Sequence, residues 1–158
     1  LNKGFMIKIS KMVDYGVVIL AHLAGADALQ NTATIAAATH LPEPSVAQIL
    51  KSLNKAGLVS SVRGAAGGYK IAHSADDVTV ADIVVAMEGP IALTACVDVG
   101  EAACGLSSIC AVSGRWTHVN TAIETALDNV TLRDMMAPQN QGASADRPQQ
   151  DIQIEGRA

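Results

Sequence analysis

Residues 58–72, LVSSVRGAAGGYKIA, set two short β-prone runs, LVSSV and YKIA, on either side of a glycine-rich turn. That is a hairpin signal, and what precedes it narrows the fold. Ser10 is placed to cap a helix running to about Gly25, with Met12, Tyr15, Val18/Ile19 and His22/Leu23 on one face. DALQNTA reads as a loop, and Asn31 or Thr32 opens a short helix, ATIAAATH, that ends before LPEPS. Residues 44–56 form a third helix: Pro44 suits its first turn, Val46, Ile49, Leu50 and Leu53 supply a buried stripe, and Gly57 stops it. Three helices followed by a glycine-turned hairpin predict a winged helix-turn-helix, a fold that is mainly α with a small β-wing.

In such a motif the second helix enters the major groove and leads with its N-terminal residues. Here these are Pro44, Ser45, Val46 and Gln48. Ser45 can bond a phosphate or a base edge, and Gln48 can pair with adenine. Lys51 and Lys55, one and two turns on, fit phosphate contacts. Arg63, just before the glycine turn, can reach the neighbouring minor groove. Against this stands a blander reading, in which the tri-helical unit is a protein-interaction module and the two lysines are solvated charges. A nucleotide-binding loop is excluded, because no G-x-x-x-x-G-K-[ST] is present and the turn joins strand to strand. Charge is compatible with nucleic-acid binding by the first half. The net −4 conceals +4 over residues 1–75 and −8 over residues 76–158.

Downstream of HSADD, TVADIVVAMEG is a helix with Val80, Ile83, Val84 and Met87 on one face. The window CVDVGEAACGLSSIC, residues 96–110, holds all three cysteines and reads as a loop. The longest helix is expected from about Ala111 to Asn129, with Trp116, Val119, Ile123, Ala126/Leu127 and Val130 at three- and four-residue steps. Beyond Pro138 the chain is polar and aperiodic, so it is expected to be disordered. Its IEGR matches a protease-site scar, and Met6 fits an original start. The expected organisation is a winged-helix DNA-binding domain over 6–88, a ligand-bearing loop over 89–113, a dimerisation helix and end segment over 114–137, and a tail over 138–158. No run approaches the roughly 18 apolar residues of a membrane span, and VVILAHLAGA is interrupted by His22. An odd cysteine count without a secretory leader pattern points to a reducing cytoplasm.

Thiolates are soft donors that suit zinc and iron–sulfur clusters. The spacing is C-x7-C-x5-C, with none of the C-x-x-C pairs that mark structural zinc sites. Long loops between ligands fit a cluster wrapped by flexible chain better than a zinc knuckle. On spacing alone an iron–sulfur cluster, zinc, a thiol redox switch and inert thiols all stay open.

AGLVSSVRGAAGGYKIA, together with SKMVDYGVVILAHLA, VADIVVAMEGPIALTAC and the cysteine window followed by GRWTHVNTAIETALDNVTLRDM, resembles the IscR/NsrR-type (Rrf-type) winged-helix transcription regulators. Among these it looks most like regulators of the SUF iron–sulfur assembly system. The likeness runs from about Met6 to Ala137, and the combination of VRGxxGGY with a three-cysteine loop is specific. It implies a homodimer whose long helix crosses its twin, with each wing facing one half-site of a palindromic operator in double-stranded DNA. Packing inside the monomer is the alternative role for the stripe over 116–130. The resemblance also implies an iron–sulfur cluster, 2Fe–2S or 4Fe–4S, on Cys96, Cys104 and Cys110.

The fourth ligand departs from a common family pattern. Many members carry a histidine three residues after the last cysteine, where this chain has Ser113. His118 lies eight residues past Cys110, about two helical turns on, expected in solvent or against the partner helix. A second family solution, an aspartate near the start of the first helix reaching across the dimer, falls on Asp14. Its alternative is a surface charge paired with Lys11 or set against the helix dipole. Ala47 stands where some relatives have a glutamate in the recognition helix, so their sequence preference does not transfer. The expected function is a repressor of iron–sulfur assembly genes that senses iron, oxygen or nitric oxide. Two other readings are a metal-free thiol sensor on the same fold and an iron–sulfur electron carrier or enzyme. An enzyme is disfavoured because His22, His40, His73 and His118 are scattered with no nucleophile partner.

Overall fold

The computed structural model describes residues 8–94, 97, 111 and 114–138. Helix α1 (Lys11–Ala24) is capped by Ser10, whose hydroxyl accepts from the Val13 N–H. Its buried side is Val13, Gly16, Ile19, Leu20 and Leu23. The expected stripe is therefore turned: Val18 is exposed, and Met12 and Tyr15 only flank the core. The reason is Gly16. A β-carbon there would lie 3.3 Å from Ile83 Cγ2, so the bare backbone of α1 admits a neighbouring helix that a periodicity count of large residues overlooks.

Helix α2 (Thr32–Thr39) is capped by Asn31, whose Oδ1 accepts from the Thr34 N–H at 2.8 Å. It ends on His40 in the left-handed conformation, φ 57°, a region where histidine is tolerated better than most residues. Helix α3 (Glu43–Lys55) follows after Pro42, carries Pro44 in its first turn, and buries Val46, Ile49, Leu50 and Leu53. Gly57 ends it at φ 78°, and the Leu58 N–H reaches back to the Leu53 carbonyl at 2.9 Å.

The hairpin pairs β1 (Val59–Val62) with β2 (Gly68–Ile71), antiparallel, in the register Val59↔Ile71 to Val62↔Gly68. Its turn is too tight for a side chain at Gly67, where a β-carbon would stand 2.2 Å from the Val62 carbonyl oxygen. Gly68 serves another contact. Tyr69 exchanges both backbone hydrogen bonds with Gln30, at 2.8 and 3.0 Å, and a β-carbon on Gly68 would lie 2.7 Å from the Gln30 carbonyl oxygen. The wing is thus stitched to the α1–α2 connection.

Helix α4 (Val80–Glu88) packs on α1 and α3. Helix α5 runs over Trp116–Asp128, 13 residues, against 14 for α1. It is shorter than expected from the sequence and is not the longest helix. Gly114 at φ 72° and a turn at Arg115 precede it, and a left-handed residue cannot propagate a helix. A short helix α6 (Leu132–Met136) then returns to the core, with Leu132 completely buried.

Thr79 and Thr131 form an antiparallel bridge, with Leu132 N–H to the Val78 carbonyl at 2.7 Å and Val80 N–H to the Val130 carbonyl at 2.9 Å. Each threonine also opens a helix with a reciprocal cap. The Thr79 and Thr131 N–H groups each donate to the carboxylate three residues on, Asp82 and Asp134, at 2.9 Å. Hydrogen bonds from the Thr131 N–H and hydroxyl hold the Asp134 carboxyl below its ordinary pKa, and the Arg133 guanidinium does the same for Asp76. No helix among the described residues is long and apolar enough to cross a membrane. Cys96, residues 98–110, Ser113 and the tail beyond Pro138 lie outside the described residues.

Candidate nucleic-acid interface

At about 100° per residue, Pro44, Gln48, Lys51 and Lys55 fall within a stripe of about 60° on α3. The buried stripe of Val46, Ile49, Leu50 and Leu53 is on the opposite side. All four residues of the first stripe are exposed. Ser45 sits between the two stripes and is half-buried, so of the two polar candidates Gln48 is the one aimed directly outward. Ala47 flanks the stripe and is exposed. The helix therefore presents an amide and two cations on a rigid face held by four fully buried aliphatic side chains.

Arg63 is exposed at the start of the wing turn. Lys70, opposite Ser60 in the hairpin register, is also exposed. It adds a cation that sequence reading, directed at the recognition helix, passed over, although its place in a β-prone run beside the turn was visible. Because Gln30 and Tyr69 tie the wing down, Arg63 and Lys70 project from a hairpin with a set position relative to α2. Lys55 has a second neighbourhood. With Ser52 it borders a cleft of about 730 Å3 whose other wall carries Asp82, Glu124 and Asp128.

Asp14 is exposed in the first turn of α1. Among the described residues the one ion pair is Arg133–Asp76 at 3.3 Å, so the alternative pairing of Asp14 with Lys11 is not formed. The aspartate's place in the first turn does set it against the positive end of the α1 dipole. With Ser10 and Lys11 it borders a recess of about 280 Å3, whose other lining is the apolar side chains of Ile9, Val13, Val17, Val80 and Met135. No group of three or more metal-binding side chains is assembled among the described residues; Cys96, Cys104 and Cys110 are not among them. His22, His40, His73 and His118 fall on α1, the α2–α3 turn, the β2–α4 connection and α5 respectively.

Helix α5 buries a single residue, and it is polar. Asn120, 6% exposed, is the one buried polar side chain among the described residues. Its Oδ1 accepts from the Leu93 N–H at 3.0 Å, and its Nδ2 donates to the Ile91 carbonyl at 2.8 Å and to Glu124 Oε1 at 3.0 Å. The apolar residues read as its stripe are more open: Trp116 is 42% and Val119 44% exposed, with Ile123 and Leu127 half-buried. They are not packed into the monomer core. Sequence reading passed over Asn120, whose signal was a lone amide between Val119 and Ile123 in an otherwise apolar spacing.

Comparisons with known proteins agree with this geometry. Residues 9–138 match the Rrf2 family, described as "Iron-dependent Transcriptional regulator". The chain is 33% identical to the HTH-type transcriptional regulator CymR of Bacillus subtilis over 82% of its length and 89% of that protein's. Its fold is similar to the solved structure of T. potens IscR, with a TM-score of 0.59 at 33% identity over 82% of this chain and 86% of that one. It is also similar to the oxidized form of Staphylococcus aureus CymR, with a TM-score of 0.59 at 27% identity, covering 84% and 98% of the two chains. The winged-helix fold and these relatives are those of a regulator and not of an enzyme: the chain belongs to the Rrf2 family of winged-helix transcriptional regulators.

Proposed function

We propose that this regulator works in the cytoplasm as a homodimeric repressor of iron–sulfur assembly genes. Its affinity for a palindromic operator is switched by an iron–sulfur cluster held by Cys96, Cys104, Cys110 and Asp14 of the partner subunit. Bases and phosphates are contacted by Ser45, Gln48, Lys51, Lys55 and Arg63. The observation that carries the switch is the setting of Asp14: an exposed carboxylate, not paired with Lys11, at the edge of an apolar recess. It stands on the helix that packs directly against α3. Three thiolates and a carboxylate form a donor set that fits an iron–sulfur cluster, the oxygen being the weakest and most displaceable member. The open face of Trp116 and Val119 supports dimerisation through α5, since large apolar residues clustered on a surface helix call for a partner.

When bound, the cluster supplies a redox- and ligand-responsive link between subunits. The protein's own part is to hold α1, and through it α3, in one dimer geometry, and the shift in DNA affinity is limited to the difference in cluster affinity between geometries. A second reading, a metal-free thiol sensor, is favoured by the relation to CymR, one of whose structures is of an oxidized form. Anaerobic purification with iron and sulfide counts and a visible spectrum separates the two: cluster absorption with inorganic sulfide is expected, and a colourless, sulfide-free protein overturns the cofactor. Asp14→Ala is expected to shorten cluster lifetime and to uncouple cluster state from DNA affinity. Unchanged values for both remove Asp14 from the site.

A further inference from the structure

Helix α5 packs against α4, but the side that faces it is polar. Asn120, Glu124 and Asp128 recur at four-residue steps and so lie on one stripe, beside the open apolar face of Trp116 and Val119. Aliphatic side chains on that stripe would fill the space toward α4 and the end of α3. Carboxylates leave it as the cleft of about 730 Å3. That size is within the about 300–1,000 Å3 of small-molecule pockets, which join an apolar lining to a few placed polar groups. Leu58, Val85 and Ile91 supply the apolar part here. The polar groups are sorted by wall: Ser52 and Lys55 on α3, Asp82 on α4, Glu124 and Asp128 on α5.

The fold holds these carboxylates in place. Glu124 Oε1 accepts from Asn120 Nδ2 at 3.0 Å, and the same amide donates to the Ile91 carbonyl at 2.8 Å, which fixes α5 at the cleft's edge. Asp82 Oδ2 and Asp128 Oδ1 both approach the Thr79 hydroxyl, at 3.0 and 3.4 Å. That hydroxyl has one hydrogen and serves only one of them at a time. The second oxygen of each carboxylate has no hydrogen-bond partner among the described residues, and neither Lys55 nor any of the three is in an ion pair there. Three anionic groups face one cation across an aliphatic lining. The complement is a ligand with two cationic groups for the α4 and α5 walls, one carboxylate for Lys55 and Ser52, and methylenes between them. We infer that the cleft binds an amino acid with a cationic side chain. Lys55 then links occupancy to DNA, because a ligand carboxylate paired with it competes with a phosphate. That link, though not the site itself, rests on the proposed contact of Lys55 with the DNA backbone.

The test is calorimetric titration of the full-length protein with L-lysine, with 1,5-diaminopentane, which lacks the carboxylate, and with norleucine, which lacks the side-chain amine. Saturable binding of lysine at one per chain, tighter than about 1 mM, is expected. Each analogue loses one charge-assisted contact and is expected to bind about tenfold more weakly. Glu124→Gln and Asp128→Asn keep the acceptors that Asn120 and Thr79 use, so the fold stands. Each is expected to weaken lysine binding about tenfold, while Thr125→Ala, an exposed α5 position outside the cleft, leaves it unchanged. No binding up to about 10 mM overturns the site, as does wild-type affinity in both carboxylate variants. An analogue that binds as tightly as lysine overturns the ligand class. The link is read on random-sequence duplex DNA, whose binding is carried by phosphate contacts. At matched ionic strength, saturating lysine is expected to weaken that binding and to flatten log affinity against log salt by about 1.8 for a dimer. Lysine binding with an unchanged slope overturns the link and leaves the site. If Lys55→Ala itself leaves the slope of ligand-free protein unchanged, the phosphate contact falls, and the link with it, while calorimetry still decides the site.

Discussion

Leu132 lies beyond the helix expected to form the dimer contact, yet its side chain is completely buried in the same core as α1 and α3. Leu132→Ala removes three carbons from that site. At about 0.8 kcal/mol per buried carbon the transfer loss is about 2.4 kcal/mol. The cavity left behind raises this toward the roughly 3–5 kcal/mol range of leucine truncations in rigid cores. Rigidity is expected here, because Leu132 N–H is bonded to the Val78 carbonyl and the Thr131–Asp134 cap fixes the turn that delivers it. Urea unfolding at a fixed protein concentration, which holds any self-association constant, is expected to show the midpoint lowered by about 1 M or more. Met135→Ala, at a position 52% exposed, is the control and stays within about 0.5 kcal/mol. A Leu132→Ala loss below about 1 kcal/mol, or one matched by Met135→Ala, would refute the placement of the return segment in the DNA-binding core.

The interface and the caps give three further expected outcomes. Lys51→Ala is expected to flatten the dependence of log affinity on log salt by about 1.8 for a dimer, about 0.9 for each phosphate no longer neutralised; Gln48→Ala instead relaxes preference at one base pair per half-site by about 1–3 kcal/mol, read by competition with single-base operator variants. Gly68→Val drives a side chain into the Gln30 backbone and is expected to weaken DNA binding in gel-shift titrations while the helical circular dichroism persists. For acid stability the sign is set by depressed carboxyls: Asp134 and Asp76 lie below their ordinary pKa in the folded chain. Their contribution is therefore present above about pH 4, the unfolded value, and is lost as pH falls through the lower folded values. The double variant Asp76→Asn/Asp134→Asn is expected to flatten that acid limb in melts recorded from about pH 5 downward.

Helices α1 to α4, the wing and their order were legible because each is dictated locally, whereas α6 was not foreseen and α5 starts later than expected. Ser10 and Asn31 satisfy helix N–H groups within three residues, Gly57 takes a left-handed turn at the end of α3, and Gly67 sits in the wing turn where the Val62 carbonyl leaves no room for a side chain. The outward stripe of α3 could be read for the same reason, since four buried aliphatics at helical spacing leave only one direction for Gln48 and Lys51. Asp14 could be singled out by its residue type and place on α1, but the recess it borders, together with Lys11, is formed by Ile9, Val80 and Met135 converging from three parts of the chain. Other features were decided only by the tertiary structure, because their partners are far apart in sequence. Gly16 matters through Ile83, Gly68 through Gln30, Leu132 through Val78, and Asn120 through residues 27 and 29 positions earlier. A periodicity count weighs a residue by its neighbours at three and four. It carries no information on a bare backbone that admits another helix, or on an amide whose hydrogen bonds reach a distant segment, and contacts of those two kinds hold the wing to the α1–α2 connection, α4 to α1 and the segment after α4 to α5.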